Sequence, residues 1–300
     1  EISLGLVGSE MCIRDSSLYA DYMETAIYNA LMASLKADAS QIAKYSPLEG
    51  WRHEGEEQCG MHINCCNANG PRAFAMIPQF AYQVQDDCVR VNFYAPSEAE
   101  LVLPGKKPVR LKQTTDYPRT DQIEIEVDPA KETAFTIALR IPAWSKIAVV
   151  SVNGQPQDGV LQGAYLPVNR KWKKGDRITV KLDLRARLVE RNQAQAIVRG
   201  PIVLARDSRF GDGFVDEASV VVSKDGYVEL TPVKAPGFAW LAFTAPMVLG
   251  TDLESNRAPK QIHFCDFASA GNTWDKTQRY RVWLPKTLNV MHSPYRPYNQ

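Results

Sequence analysis

Two periodicities divide the chain. Over residues 17 to about 37, apolar side chains recur at three- and four-residue steps: Leu18, Tyr22, Met23, Ile27, Leu31, Met32 and Leu35. That spacing gathers them on one broad stripe of a helix, with Ser16 or Ser17 placed to cap its start. One amphipathic helix cannot bury its own apolar face, so the segment needs a packing partner elsewhere. A polar, breaker-rich loop follows over residues 45–57. A second, shorter helix is predicted after Asn69-Gly70, with Pro71 in its first turn, Phe74 and Ile77 as its apolar positions, and Pro78 ending it.

From about residue 80 the period becomes two. Phe80, Tyr82 and Val84 alternate, Asp86-Asp87 makes a turn, and Val89, Val91 and Phe93 alternate again, which is a hairpin signature. The alternation continues through Ile123 to Val127, Phe135 to Ile141 and Ile178 to Leu184, with Asn153-Gly154 as a strong turn signal and Gly175-Asp176 as a weaker one. Short strands at regular intervals predict a β-sandwich over 82–187. A second β region spans 188–300, its clearest strands being Val198 to Ala205, Val220 to Val222, Tyr227 to Leu230 and Tyr280 to Leu284. The expected fold class is mainly β, with a helical N-terminal part over 17–81 and two β-sandwich domains behind it.

Charge and composition exclude more than they identify. Lys plus Arg number 35 and Asp plus Glu 34, a net charge of +1 with no basic stripe, so nucleic acid is not an expected partner. No apolar run reaches the roughly 20 residues that cross a bilayer. Six cysteines in 300 residues are too few for a disulfide scaffold. Residues 1–16 lack the layout of a signal peptide and read as translated sequencing-adaptor sequence foreign to the protein.

The candidate chemistry lies in His62-Ile63-Asn64-Cys65-Cys66-Asn67-Ala68-Asn69-Gly70. Adjacent thiols are poorly placed to form a disulfide with each other, because the ring is strained. They can share one soft metal ion, or one thiolate can react while the other holds zinc. The pair also precedes a predicted helix, whose first N–H groups favour an anion. His62 either lines the pocket and tunes the thiolate or is an ordinary loop histidine.

These residues carry a resemblance. Tyr19-Ala20-Asp21-Tyr22-Met23-Glu24 through Ala26-Ile27-Tyr28-Asn29, then Tyr45-Ser46-Pro47-Leu48-Glu49, then Cys65-Cys66, resembles glycoside hydrolase family 127. Arg199-Gly200-Pro201 and Tyr280-Arg281-Val282-Trp283-Leu284-Pro285 are similar to its C-terminal landmarks, so the resemblance covers residues 17–300. It implies an (α/α)6 barrel followed by β-sandwiches, of which this chain holds the last barrel helices over 17–81 and both sandwiches. It implies a zinc-dependent, retaining β-L-arabinofuranosidase-like activity on a glycan substrate. Cys65 then matches the nucleophile, Cys65 and Cys66 the zinc ligands, and Tyr28 an active-site tyrosine. The family's Glu-x-Cys ligand pair and general acid/base glutamate lie upstream. Glu10-Met11-Cys12 has the letters of the former, but it sits within the foreign leader and too near Tyr19. The chain alone is therefore expected to be inactive. Exported relatives point to a periplasmic or extracellular location, which composition leaves open, as it does the oligomeric state.

Other readings remain open. The chain could be a non-catalytic carbohydrate-binding or interaction module. Cys59, His62, Cys65 and Cys66 could form a local structural zinc site, although the spacing fits no common zinc module. Glu54, Glu56 and Glu57 read as a solvated loop, and Cys88 and Cys265 as packing residues. Trp144, Trp172, Trp274 and Trp283 are expected in cores more than on sugar rings. Asp207, Asp212 and Asp216 are expected on a surface loop, their spacing fitting no EF-hand calcium loop.

Overall fold

The computed structural model describes residues 17–55, 65–250 and 258–287. The protein is mainly β with few helices. In chain order it begins with α1 (Leu18–Ala26), a π-helical turn (Ile27–Leu31), the two-residue strand β1 (Glu49–Gly50) and α2 (Cys66–Ala81). Two compact units form. The first takes Glu1–Ile27 with Asn67–Leu184, and the second Tyr28–Cys66 with Arg185–Gln300. Among the described residues no helix is long and apolar enough to cross a membrane.

Two sheets build the first unit. One has four strands in the order β10 (Ala164–Trp172), β7 (Thr133–Ile141), β3 (Cys88–Val91), β2 (Tyr82–Gln85). The other has six, in the order β4 (Ser97–Leu103), β5 (Lys107–Thr115), β6 (Gln122–Pro129), β11 (Asp176–Leu182), β8 (Ala148–Val152), β9 (Gln155–Pro156). The period-two pattern works as predicted. Val109, Leu111, Ile123, Ile125, Val127, Val150, Val152, Ile178, Val180 and Leu182 are all buried, while their neighbours along each strand face outward or lie partly covered. The hairpins expected at Asp86-Asp87 and Asn153-Gly154 form as β2–β3 and β8–β9, and positive φ at Asp86, Asn153 and Gly154 makes the turns. One pairing has no signature in the pattern: β3 runs parallel to β7, with Cys88 opposite Thr136.

The helices depart from expectation. The buried face of α1 is Ala20, Asp21 and Glu24, whereas Leu18 and Tyr22 of the predicted stripe are 43% and 64% exposed. The reason is on β7. Phe135, Ile137 and Leu139 take one side of that strand, so Arg140 emerges on the other and draws both carboxylates of α1 against the sheet. Met23 and Ile27 of the stripe do pack, with Tyr19 and Ala20, on Ile77, Phe80 and Ala81 of α2 and on Phe93. Ser17 holds the N-cap position but gives its hydroxyl to Asp21. The first helical stretch ends at Ala33, short of residue 37, and Leu35 instead bridges Ile42. The second helix starts at Cys66, earlier than expected, and runs through both Pro71 and Pro78. Each proline forfeits one i→i−4 hydrogen bond, and the packing of Ile77, Phe80 and Ala81 holds the far end despite that loss.

The second unit is one eleven-stranded sheet. Its main path adds β12 (Ala186–Arg191), β13 (Ala194–Arg199), β14 (Ile202–Asp207), β15 (Ser219–Val221), β16 (Tyr227–Val228), β18 (Ala242–Leu249) and β19 (Lys260–Asp266) in the order β15-β18-β19-β14-β13-β12-β16. β17 (Thr231–Pro232), β20 (Tyr280–Arg281) and β21 (Leu284–Pro285) pair at its sides, as does β1. Ile197, Ile202, Leu204, Phe243, Met247, Ile262 and Phe264 form its core. The strand predicted over Val198 to Ala205 is two strands. The chain reverses at Gly200-Pro201, Gly200 having φ +56°, so that Val198 lies opposite Val203.

Candidate active site

Cys66 is the first residue of α2, and Cys65 stands immediately before it. The helix N-terminus therefore lies at the thiol pair, where unsatisfied backbone N–H groups and the helix dipole favour negative charge. The Cys65 side chain is exposed and that of Cys66 partly buried. Burial pushes the Cys66 thiol up, the adjacent Cys65 adds to the shift, and the Lys44 ammonium opposes it. The helix terminus and Lys44 alone thus leave Cys66 harder to ionise than an ordinary cysteine.

The segment leading to the pair is held at many points. Lys44 N–H donates to the Glu54 carbonyl at 2.9 Å. Gly55, at φ +93°, lets the chain lie against Lys44 and Tyr45, since a Cβ there would come within 3.2 Å of both side chains. The Tyr280 hydroxyl donates to the Pro47 carbonyl at 2.6 Å, and Val282 N–H to the Leu48 carbonyl at 2.9 Å. The β1 pairing sets Glu49 opposite Arg281, and their side chains form an ion pair at 2.9 Å. Arg52, fully buried, donates to the carbonyls of Ala33, Phe267 and Ala268 and lies over the rings of Phe267 and Tyr280. Ala33 ends the first helical stretch, so Arg52 satisfies one of its terminal carbonyls. Two segments singled out in the sequence, Tyr45 to Glu49 and Tyr280 to Pro285, are thus one hydrogen-bonded structure.

A second pair of landmarks also meets. Asn29, in the π-helical turn, donates from Nδ2 to the Pro201 carbonyl at 2.8 Å and accepts from Val203 N–H at 2.8 Å. Tyr28, beside it, is partly buried on the core of the second unit, its ring stacked on Trp240 at 6.1 Å and 10° between planes. Sequence reasoning missed Lys44, Asn29, Arg52 and Trp240 as functional or supporting residues. Asn29 lay inside a segment marked for its resemblance and Arg52 inside the loop over 45–57, while Lys44 and Trp240 lay in neither.

His62 falls outside the described residues, as do Cys59, Glu56, Glu57 and the Glu10-Met11-Cys12 triplet. Among the described residues, no three His, Cys, Asp or Glu side chains gather as a metal site. The donor set that is described, two adjacent sulfurs at a helix start, suits part of the shell of a soft ion such as zinc. Glu54 is exposed. Cys265, on β19, is buried, and burial holds its thiol well above the ordinary range. Trp144 and Trp172 are core residues, and Trp283 packs on a core cluster. The three aspartates are bound by arginines and histidine: Asp207 to Arg209, Asp212 to His263 and Arg206, Asp216 to Arg281 and Arg279.

Comparison with known proteins fits this arrangement. Residues 88–184, spanning β3 to β11, match the family profile described as β-L-arabinofuranosidase, GH127 middle domain. A curated non-reducing end β-L-arabinofuranosidase of Bifidobacterium longum subsp. longum is 27% identical over 212 residues, covering 62% of this chain and 31% of that protein. The crystal structure of a GH127 β-L-arabinofuranosidase from Geobacillus stearothermophilus T6 superposes with a TM-score of 0.76 at 22% identity, over 93% of this chain and 48% of that one. A further solved GH127 β-arabinofuranosidase gives 0.73 at 23% identity, over 92% and 46%. The fold is that of the solved GH127 structures, and residues 88–184 match that family's middle domain. The chain is similar to proteins of glycoside hydrolase family 127, and it spans about a third of the curated relative and about half of the solved ones.

Proposed function

We propose that this chain is the part of a retaining β-L-arabinofuranosidase-like glycoside hydrolase that supplies the nucleophile, Cys65, and two of its zinc ligands, Cys65 and Cys66. The observation that carries this reading is an exposed thiol beside a partly buried one at the start of a sixteen-residue helix. The Cys65 sulfur attacks the anomeric carbon of a non-reducing-end arabinofuranose. A C–S bond forms as the bond to the leaving oxygen breaks. The proton for that oxygen comes from a general acid outside the described residues. Water then displaces the sulfur from the opposite face, and two inversions give net retention. Zinc, when bound, holds the thiols ionised at neutral pH. The raised pKa of Cys66 is consistent with that need. Tyr28 and His62 contact the sugar in this reading. The short N-terminal helices are the end of the barrel in this reading.

The test uses the full-length protein and an aryl β-L-arabinofuranoside. Cys65→Ser should lower kcat by at least about a thousandfold, as loss of a nucleophile does. Bound zinc per chain, measured by atomic emission, should fall in both Cys65→Ser and Cys66→Ser. Normal turnover by Cys65→Ser would remove the nucleophile, and a protein that binds the glycoside without hydrolysing it would be the binding module instead.

A further inference from the structure

Tyr28 occupies an unusual piece of backbone. It lies in the π-helical turn Ile27–Leu31, a wider coil that costs helix geometry and is over-represented at functional positions. Such a turn persists only where the surroundings fix it. Here they do so with β-sheet groups. The Asn29 side chain, 7% exposed, is gripped on both its donor and acceptor ends by the backbone of Pro201 and Val203, across the reversal between β13 and β14. The Ser46 hydroxyl donates to the Ala30 carbonyl at 2.8 Å, closing the other side of the turn. Trp240 lies nearly parallel to the Tyr28 ring. The backbone at Trp240 is itself fixed, its main-chain N–H donating to the Ser269 hydroxyl at 3.0 Å and that of Leu241 donating to Asp266 at 2.8 Å.

An amide held at both ends fixes rotation of the turn about its axis, and a parallel ring fixes the plane of the tyrosine. Together they remove the two freedoms a tyrosine has at a helix surface. We propose that Asn29 and Trp240 are positioning residues for the sugar. They set the location and plane of Tyr28, so that the β-sheet of the second unit determines how tightly the arabinofuranosyl ring is bound. This rests on the reading of Tyr28 as a substrate contact.

The experiment is a double-mutant cycle in the full-length enzyme, with an aryl β-L-arabinofuranoside as substrate. Trp240→Ala should raise KM about three- to tenfold, the range a lost ring stack gives, with a smaller change in kcat. Trp240→Phe, which keeps a ring, should restore most of the KM. In a Tyr28→Ala background, Trp240→Ala should add little further loss, because its effect passes through Tyr28. Asn29→Ala should behave as Trp240→Ala does, and Asn29→Asp, which loses the donor to Pro201, should be intermediate. If Tyr28→Ala impairs KM while Trp240→Ala shifts only the thermal midpoint, or if the two losses multiply, the positioning role is wrong and the tyrosine contact stands. If Tyr28→Ala leaves both kinetic constants unchanged, the contact itself fails and the positioning role falls with it.

Discussion

Arg140 of the first unit and Arg52 of the second are both fully buried, and the two are satisfied in opposite ways. Arg140 in the first unit meets two carboxylates, Asp21 and Glu24, each at 2.6 Å. Those acids take further donors: the Ser17 hydroxyl and Ala143 N–H on Asp21, the Tyr117 hydroxyl and the Trp144 indole on Glu24. Burial alone would lower the pKa of Arg140, but the carboxylates Glu24 and Asp21 override it and hold it well above the ordinary value. Arg52 in the second unit meets carbonyl oxygens and aromatic faces, and burial prevails, lowering its pKa. The first is an ionic latch between a helix and a strand, and the second is a cationic splint held by carbonyl oxygens across backbone segments. An ionic latch is costly to break on one side only, since it leaves charge stranded, while a carbonyl splint fails by losing hydrogen bonds.

That contrast sets an order of effects. Arg140→Met should be the most damaging, about 3–5 kcal/mol in urea unfolding, because Asp21 and Glu24 stay buried without a cation. Replacing all three, as Arg140→Met with Asp21→Leu and Glu24→Met, should recover much of that loss. A loss below about 1 kcal/mol for the single change would show that water reaches the acids. Arg52→Met should cost less, about 1–3 kcal/mol, for the carbonyls left unpaired. Arg52→Lys should recover only part, because one ammonium cannot reach all three oxygens in the fork geometry. Amide exchange in residues 28–35 and 267–270 would report it.

The smallest effect concerns pH. Burial raises the pKa of Asp266, against the hydrogen bonds it accepts from Leu241 and Ser269. A carboxyl whose folded pKa lies above its unfolded value contributes fully below the unfolded pKa and loses that contribution as pH rises through the folded one. Above the ordinary carboxyl pKa of about 4, Asp266 contributes a destabilising slope with rising pH, opposite in sign to that of Asp128 and Asp176, and Asp266→Asn should remove that contribution from the measured slope. An unchanged slope would place the titration elsewhere.

The strands of both units were legible because period two is a local property. Ile123 to Val127 or Ile178 to Leu182 can be assigned from five to seven residues without knowing the partner. The thiol pair at a helix start was legible for the same reason. The face of α1 was not, because Asp21 and Glu24 look like solvent-facing residues until Arg140, far along the chain, is placed behind them. Likewise Pro71 and Pro78 break helices locally, and only the packing of α2 on α1 reveals why this one survives. The break at Gly200-Pro201 was the reverse case, since its turn chemistry was local and the apolar run hid it. The clamp on Asn29 lies wholly in tertiary contacts and left no mark in the spacing.

The parallel pairing of β3 with β7 carries a temporal consequence. β3 must wait for a neighbour that enters the chain about fifty residues later, a delay of several seconds at ordinary synthesis rates of about 5–20 residues per second. During that interval the β2–β3 hairpin offers an unguarded edge, and α1, already made, has no Arg140 to latch its acids. Slowing translation across residues 92–141 should therefore increase the fraction of nascent protein that aggregates.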